Sequence, residues 1–290
     1  MAADIETLTR LINNEVIEAM GFSCGSWAGR RLQPILSRAT RRFCEIFATA
    51  DSIIGAQGLT AGARWLLRNL AREFMARGAG NVPPEGPLII ASNHPGTVDS
   101  VALAASAGRE DLKIIASAVP FLRALSHVSE HLILLPRQGL QARMLAARAA
   151  IRHLKAGGAL LLFARGNIDP DPAFMDDAHQ ELSAWSRSLE IFLRDVPQAQ
   201  VVTSIVSNVI DPVYMRHPLT WLRRRRADRQ RLAMMIQIIQ QMLGKKARIV
   251  PHVSFGAVLA HQRTATAEST LSAIVGSAEC LLKSHLAWQT

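Results

Sequence analysis

Residues 88–100 read Leu88-Ile-Ile-Ala-Ser-Asn-His-Pro-Gly-Thr-Val-Asp-Ser100, and the remainder of the chain follows the alternation that they begin. The opening residues form a short, wholly apolar run, which is typical of a strand buried in a parallel sheet. Pro95 and Gly96 predict a sharp turn, after which Thr97 or Asp99 can begin a helix. A buried strand that leads through a turn into a helix is characteristic of α/β proteins.

Short apolar runs and helical patterns alternate through the C-terminal part of the chain. The predicted strands cover 88–91, 113–116, 132–135, 159–164, 201–206 and 249–253. The predicted helices cover 98–107, 139–156, 178–194, 225–243 and 265–286. This alternation predicts an α/β fold, in which a mostly parallel sheet is flanked by helices.

The N-terminal part of the chain has apolar residues at helical spacing and no strand-like run. Its predicted helices end at Gly21, cover 35–54 after a break that includes Pro34, and cover 61–77. Residues 81–87, Asn81-Val-Pro-Pro-Glu-Gly-Pro87, are dense in turn-forming residues and separate the two patterns. We therefore expect an N-terminal helical region over residues 1–80 and an α/β domain over residues 81–290.

The composition excludes some classes of protein and leaves others open. Apolar residues make up 49% and charged residues 19% of the chain, which excludes intrinsic disorder. The net charge of +10 favours an anionic partner, which can be nucleic acid, an anionic membrane, or a phosphorylated or CoA-like substrate. Asp4 and Glu6 are unlike the start of a secretion signal, and no apolar run is long enough to span a membrane. We therefore expect a cytoplasmic protein.

His94 and Asp99 are the first candidates for catalysis. The predicted strand delivers His94 to the carboxyl edge of the sheet, where α/β proteins bind their ligands. With His94 in the turn and Asp99 in the first helical turn, the carboxylate can fold back to the imidazole and fix its tautomer. The alternative is that Asp99 only caps the helix and that the histidine beside it is incidental.

The motif Asn93-His94-x-x-x-x-Asp99 resembles the first motif of the glycerolipid acyltransferases, which include the glycerol-3-phosphate and lysophosphatidic acid acyltransferases. The resemblance implies that His94 is the general base and that Asp99 orients it. It also implies that Asn93, Gly96 and Thr97 contribute to substrate binding.

Two later segments resemble further motifs of the same family, and the resemblance covers about residues 85–210. Leu132-Ile-Leu-Leu-Pro-Arg137 is similar to a block whose arginine contacts the acceptor's phosphate. The family then reads Phe-Pro-Glu-Gly-Thr-Arg-Ser, where this chain reads Phe163-Ala-Arg-Gly-Asn-Ile168. Phe163 and Gly166 match, but Arg165 replaces the acid and Ile168 replaces the arginine. The resemblance thus assigns Arg137, Phe163, Arg165 and Gly166 to substrate binding.

Arg165 has two interpretations. It can bind an anionic group of the acceptor, so that the acceptor preference differs from that of an ordinary glycerol-3-phosphate acyltransferase. Alternatively, it points into solvent or pairs with Asp169 or Asp171.

The resemblance implies an enzyme that moves a fatty acyl group from acyl-CoA or acyl-carrier protein to a hydroxyl of a glycerolipid-like, anionic acceptor in phospholipid biosynthesis. The donor is a substrate, and the chemistry requires no metal or redox cofactor. One alternative is a basic membrane- or partner-binding module that keeps the fold and has lost the activity, as the altered block suggests. Another is a thioesterase-like use of His94 and Asp99 with water as the acceptor.

A competing pattern is His127-Val-Ser-Glu-His131, which matches the H-x-x-E-H signature of inverted zinc proteases. A third ligand is not identifiable, and a strand-like run follows directly. Solvated histidines at a helix end are the simpler interpretation.

Trp221 and the run Arg223–Arg226 precede an amphipathic helical pattern. This run can be a solvated basic face, a dock for an anionic membrane or an acyl-carrier protein, or a nucleic-acid surface. The chain has only 5% aromatic residues and no helix-turn-helix or zinc-finger signature, which argues against nucleic acid. We therefore expect peripheral binding to the anionic inner face of the cell membrane and no nucleic-acid partner.

Overall fold

The computed structural model describes residues 4–19, 21–136, 138–175, 177–186, 188–260 and 267–289. The strands are β1 (Met75–Arg77), β2 (Leu88–Ser92), β3 (Lys113–Ser117), β4 (Leu132–Leu135), β5 (Ala159–Phe163), β6 (Gln200–Ser207) and β7 (His252–Ala260). The first helices are α1 (Ile5–Ala19), α2 (Trp27–Gln57), α3 (Leu59–Leu70), α4 (Asp99–Ala107), α5 (Pro120–Arg123) and α6 (Ser126–Glu130). The later helices are α7 (Leu140–Lys155), α8 (Ala178–Leu182), α9 (Ser188–Asp195), α10 (Pro212–Met215), α11 (Arg226–Met242) and α12 (Ala267–Gln289).

The strands form one seven-stranded sheet in the order β1-β7-β6-β2-β5-β3-β4. The pairs from β6 through β2, β5 and β3 to β4 are parallel, and so is the pair of β1 with β7, whereas β7 runs antiparallel to β6. In the centre of the sheet, Ile90 of β2 lies opposite Leu161 of β5 and Val202 of β6. The predicted α/β fold with a mostly parallel, helix-flanked sheet is confirmed.

The sheet is buried on both faces, because successive residues of a strand point to opposite sides. Leu88 and Ile90 belong to a core cluster with residues of α1, α2, α3, α4 and α11. Ile89 and Ala91 belong to a second cluster with residues of α7, α8, α9 and α12. The N-terminal helices therefore pack on the same core as the central strands. The boundary at residue 81 stays a prediction.

The five predicted strands from 88–91 to 201–206 are confirmed, but the prediction was wrong at the other edge of the sheet. The predicted helix over 61–77 ends at Leu70, and Met75–Arg77 forms β1. The predicted strand over 249–253 begins at His252 and extends to Ala260. The backbone N–H of Met75 donates to Pro251 O at 2.9 Å, so β1 exists because it pairs with a strand far along the chain.

Two helix predictions were also wrong. α2 begins at Trp27, because the Ser26 hydroxyl caps its N-terminus by accepting the Gly29 N–H at 3.0 Å, and the helix runs through Pro34. The predicted helix over 178–194 is divided into α8 and α9. The N–H of Ser186 donates to Ala164 O at 2.8 Å and ties this break to the end of β5.

In the part of the chain that the structure describes, no helix combines the length and the apolar character that a membrane span requires.

Candidate active site

His94 and Asp99 form a hydrogen-bonded dyad at the carboxyl end of β2. The Nδ1 atom of His94 lies 2.8 Å from Oδ2 of Asp99, which is the first residue of α4. Asp99 is fully buried, and the same Oδ2 accepts the N–H of Gly96 at 3.0 Å, while Oδ1 accepts the N–H of Ser100 at 2.6 Å. The turn and the first helical turn therefore fix the carboxylate, and the carboxylate fixes the imidazole.

The hydrogen bond from Asp99 also decides which nitrogen of His94 is basic. An ionised carboxylate can only accept, so Nδ1 carries the hydrogen and Nε2 is left with its lone pair. The His94 side chain is 26% exposed and lines a cavity, so Nε2 can reach a bound molecule. The ring stacks on Phe163, with centroids 4.1 Å apart, because Phe163 ends β5 opposite the end of β2.

The pKa of His94 is raised above its ordinary value. Burial by itself would lower this pKa, but the charge of Asp99, its hydrogen bond and the charge of Asp169 favour the imidazolium and outweigh burial. The site therefore stabilises the protonated imidazole that forms when a general base accepts a proton.

A second carboxylate, Asp169, holds the backbone of the dyad turn. Its Oδ2 accepts the N–H of His94 at 2.8 Å, and its own N–H donates to His94 O at 2.8 Å. Gln230 of α11 donates from Nε2 to Pro95 O at 3.0 Å and to Asp169 O at 2.8 Å. Both side chains are buried. Sequence reasoning missed both residues as positioning residues, and the only signal for Gln230 was a polar residue within an amphipathic helix.

An apolar cavity of about 540 Å³ extends from His94. Its walls come from α2, α3, α4 and the strands β3 and β4, and they include Phe47, Ile54, Leu66, Val101, Ile114 and Leu132. His94 and Arg165 are the ionisable side chains among its described lining residues. The imidazole of His94 and a largely apolar surface thus line the same cavity.

Arg165 lines this cavity but is ion-paired. Its Nη2 lies 2.9 Å from Oε2 of Glu181 in α8, and its Nη1 lies 3.4 Å from Oδ1 of Asp169 and donates to Ile168 O at 3.1 Å. The structure therefore contains the ion pair of Arg165 with Asp169 that the second interpretation predicted. Glu181 was not identified from the sequence.

Asp171, the other partner considered for Arg165, has a different role. Its carboxylate is fully buried and accepts the backbone N–H groups of Ala173, Asn208 and Val209 at about 3 Å. Burial raises the pKa of Asp171 to about 6, although these hydrogen bonds act in the opposite direction. The Asp171 side chain joins the loop after β5 to the loop after β6.

Three of the predicted substrate-binding residues, Thr97, Phe163 and Gly166, line the apolar cavity together with Arg165. Arg137 lies outside the residues that the structure describes.

Asn93 and Gly96 are not among the described lining residues of the cavity. The amide of Asn93 donates to Val206 O and accepts the Val206 N–H, both at 2.8 Å, so it joins β2 to β6. Gly96 is buried, and a Cβ atom there would lie 2.9 Å from Cγ2 of Val209. In this structure both residues shape the turn that presents His94.

The histidines of the zinc-protease pattern lie elsewhere. His127 is in α6, a helix of five residues, and His131 follows its end, with Nδ1 3.1 Å from Leu112 O. Within the described ranges, no three His, Cys, Asp or Glu side chains are close enough to hold a metal ion.

The sequence and the fold were compared with known proteins. The family model described as "Acyltransferase" matches residues 73–253, from just before β1 into β7. Among solved structures, the chain is similar to the 1-acyl-sn-glycerophosphate (LPA) acyltransferase PlsC from Thermotoga maritima, with 13% identity and a TM-score of 0.46. This likeness covers 97% of the present chain and 96% of the other. No curated protein matches the sequence.

Proposed function

The chain belongs to the acyltransferase family, and on that premise we propose that it transfers a fatty acyl group from acyl-CoA or acyl-carrier protein to a hydroxyl of an anionic, glycerolipid-like acceptor. The observation that carries this proposal is the position of the dyad. His94, whose Nδ1 is held by Asp99, lines a cavity whose walls are mostly apolar. Such a site suits a reaction that joins a polar hydroxyl to an apolar chain.

In the proposed reaction, Nε2 of His94 removes the proton of the acceptor hydroxyl while the hydroxyl oxygen attacks the thioester carbonyl carbon. The new C–O bond forms, the C–S bond breaks, and the proton on Nε2 passes to the leaving thiolate. Asp99 keeps the imidazole oriented throughout and stabilises its positive charge. His94 therefore returns to its starting state after each turnover.

The acyl chain of the donor occupies the apolar cavity in this proposal. Each methylene group that leaves water contributes about 0.8 kcal/mol, so even a partly filled cavity binds a chain strongly. Phe47 and Ile54 of α2 and Leu66 of α3 contribute to the wall. The N-terminal helices would thus complete the acyl site, although the family match begins after them.

We assign acceptor recognition to Thr97, Gly166 and Arg165, which line the cavity together with His94. Glu181 is 32% exposed, so an anionic acceptor can compete with it for the Arg165 guanidinium. The resemblance also assigns an anion contact to Arg137.

The same dyad can also use water as the acceptor, which would make the protein a thioesterase. The observation that favours this second function is the pairing of Arg165 with Glu181 and Asp169, which leaves the guanidinium less available to an acceptor.

One experiment separates these functions. The purified protein is incubated with acyl-CoA and a lipid extract, and mass spectrometry identifies the products. A new acylated lipid that requires His94 supports the acyltransferase, whereas free fatty acid alone supports the thioesterase. If wild type forms no more of either product than His94→Ala does, the enzymatic assignment is contradicted and the binding module is favoured.

We propose a membrane contact at the residues 219–226, called here the 219–226 patch. Leu219, Trp221 and Leu222 are exposed apolar residues beside the exposed cations of Arg223–Arg226. Apolar and basic side chains in this combination suit the headgroup region of an anionic bilayer.

A further inference from the structure

A second, smaller cavity lies between α2, α3 and the segment that follows α11. It has a volume of about 140 Å³, and we call it the basic pocket. The charged residues among its described lining are four cations, Arg42, Arg68, Lys245 and Lys246. Phe43, Ile46 and Leu70 provide an apolar floor. No acidic residue is among its described lining residues.

The four cations of the basic pocket are exposed. In the described part of the chain, none of them lies within ion-pair distance of a carboxylate. By contrast, Arg109 and Arg165 each pair with at least one acid. Like charges that converge on one small cavity repel each other, and a bound anion removes that repulsion.

The fold brings these cations together from three distant parts of the sequence. Gln241 near the end of α11 donates to Leu70 O at the end of α3 at 3.0 Å, which fixes the two helix ends. Gly244 then adopts a positive φ of 80°, and its N–H donates to Gln241 O at 2.9 Å. Lys245 and Lys246 follow this turn and line the basic pocket together with Arg42.

The basic pocket is separate from the apolar cavity. Among the described residues, none lines both cavities. Phe43 lines the basic pocket and Phe47 lines the apolar cavity, and their ring centroids are 4.6 Å apart. One turn of α2 therefore forms a common wall.

We infer that the basic pocket binds the phosphate group of a phosphate monoester. Two guanidinium groups can each donate two parallel hydrogen bonds to phosphate oxygens, and two ammonium groups add mobile positive charge. The apolar floor excludes water from one side of the site and strengthens these interactions. The phosphate can belong to a lipid headgroup, as in phosphatidate, or to a soluble ester.

The test compares three proteins of defined charge. Wild type is compared with Arg42→Gln/Arg68→Gln and with the control Arg148→Gln/Lys155→Gln, which loses the same charge from α7. Equilibrium dialysis measures inorganic phosphate, and co-sedimentation measures phosphatidylcholine vesicles with and without phosphatidate. We expect the pocket variant to bind phosphate about tenfold more weakly or worse, and the control to bind as wild type does.

The two probes distinguish the sources of the phosphate. Pocket-dependent binding of inorganic phosphate assigns a soluble ester, whereas pocket-dependent binding of phosphatidate vesicles alone assigns a lipid headgroup. Equal binding by the pocket variant and the control would overturn the inference, and so would absence of binding by wild type to both probes. Loss of phosphate binding in Arg165→Gln, with the pocket variant unaffected, would place the phosphate at the dyad and also overturn it.

A second variant distinguishes the loss of a phosphate contact from a folding failure of the pocket variant. Lys245→Gln/Lys246→Gln changes only exposed side chains after the end of α11, and it should weaken binding in the same way. Circular dichroism is recorded for every variant. Because the readout is binding, the result does not depend on whether the protein transfers an acyl group.

Discussion

The apolar cavity and the basic pocket share one turn of α2 as a wall, yet they differ in whether their lining cations are paired with acidic residues. At the apolar cavity, His94 is paired with Asp99, and Arg165 is paired with Glu181 and Asp169. In the basic pocket, none of the lining cations has an acidic partner among the described residues. Paired charges hold a reactive group in one geometry, whereas unpaired charges are available to a ligand.

Removal of the paired base is the strongest test of this comparison. We expect His94→Ala to lower kcat/KM for acyl transfer by about 10²–10⁴, because a general base contributes that much to a proton transfer. His131→Gln is the matched control and should keep its activity, since His131 lies outside the dyad. Steady-state kinetics compare the variants with wild type, and circular dichroism checks that all of them are folded alike. Equal rates for His94→Ala and wild type would end the enzymatic assignment.

The dyad was predictable from the sequence because its two residues are neighbours in the chain. His94 and Asp99 lie on one turn between a strand and a helix, and a local turn decides their distance. The same locality explains why β2 to β6 were found, since each is a short apolar run that is buried on both faces.

The surroundings of the dyad were not predictable, because they depend on packing between distant elements. Asp169, Glu181 and Gln230 reach the site from the loop after β5, from α8 and from α11. Nothing in local periodicity gives the register of one element against another. β1 was missed for the same reason, since it is a strand only through its pairing with β7.

The arginines of the 219–226 patch, which form no ion pair with a carboxylate in the described part of the chain, give the next largest expected effect. Each exposed arginine near an anionic membrane is worth about 1 kcal/mol, so Arg224→Gln/Arg225→Gln should weaken binding to anionic vesicles by about tenfold or more. Co-sedimentation measures this, with Arg148→Gln/Lys155→Gln as the control of equal charge. Binding of wild type should also fall steeply with salt.

This membrane prediction has two contrary outcomes. Equal binding of wild type to neutral and anionic vesicles, without salt dependence, would exclude an electrostatic contact. Tighter binding to DNA than to anionic vesicles would restore the nucleic-acid interpretation.

A smaller effect is expected from Asp169→Asn, and it should appear in the dependence of activity on pH. The charge of Asp169 helps to raise the pKa of His94, so Asp169→Asn should lower that pKa. The base must be neutral to work, and wild-type activity should therefore be lost as the pH falls through a pKa above about 6.5. In Asp169→Asn this acidic limb should move to lower pH. A reduced rate with an unmoved limb would mean that Asp169 is only structural.

The smallest expected effect is at the Arg165 ion pair, where one substitution removes one of the two acidic partners of a paired cation. Glu181→Gln keeps the shape of the side chain and removes the charge that occupies Nη2 of Arg165, so the guanidinium becomes available to an anionic acceptor. Because the pair is partly exposed, its strength is at most about 1 kcal/mol, and KM for an anionic acceptor should fall by no more than about fivefold. KM for an uncharged alcohol should not change.

The test measures both acceptors with wild type, Glu181→Gln and Arg165→Gln. If Glu181→Gln changes both KM values alike, or Arg165→Gln retains the preference for the anion, Arg165 does not contact the acceptor, and the charge of the acceptor is recognised elsewhere.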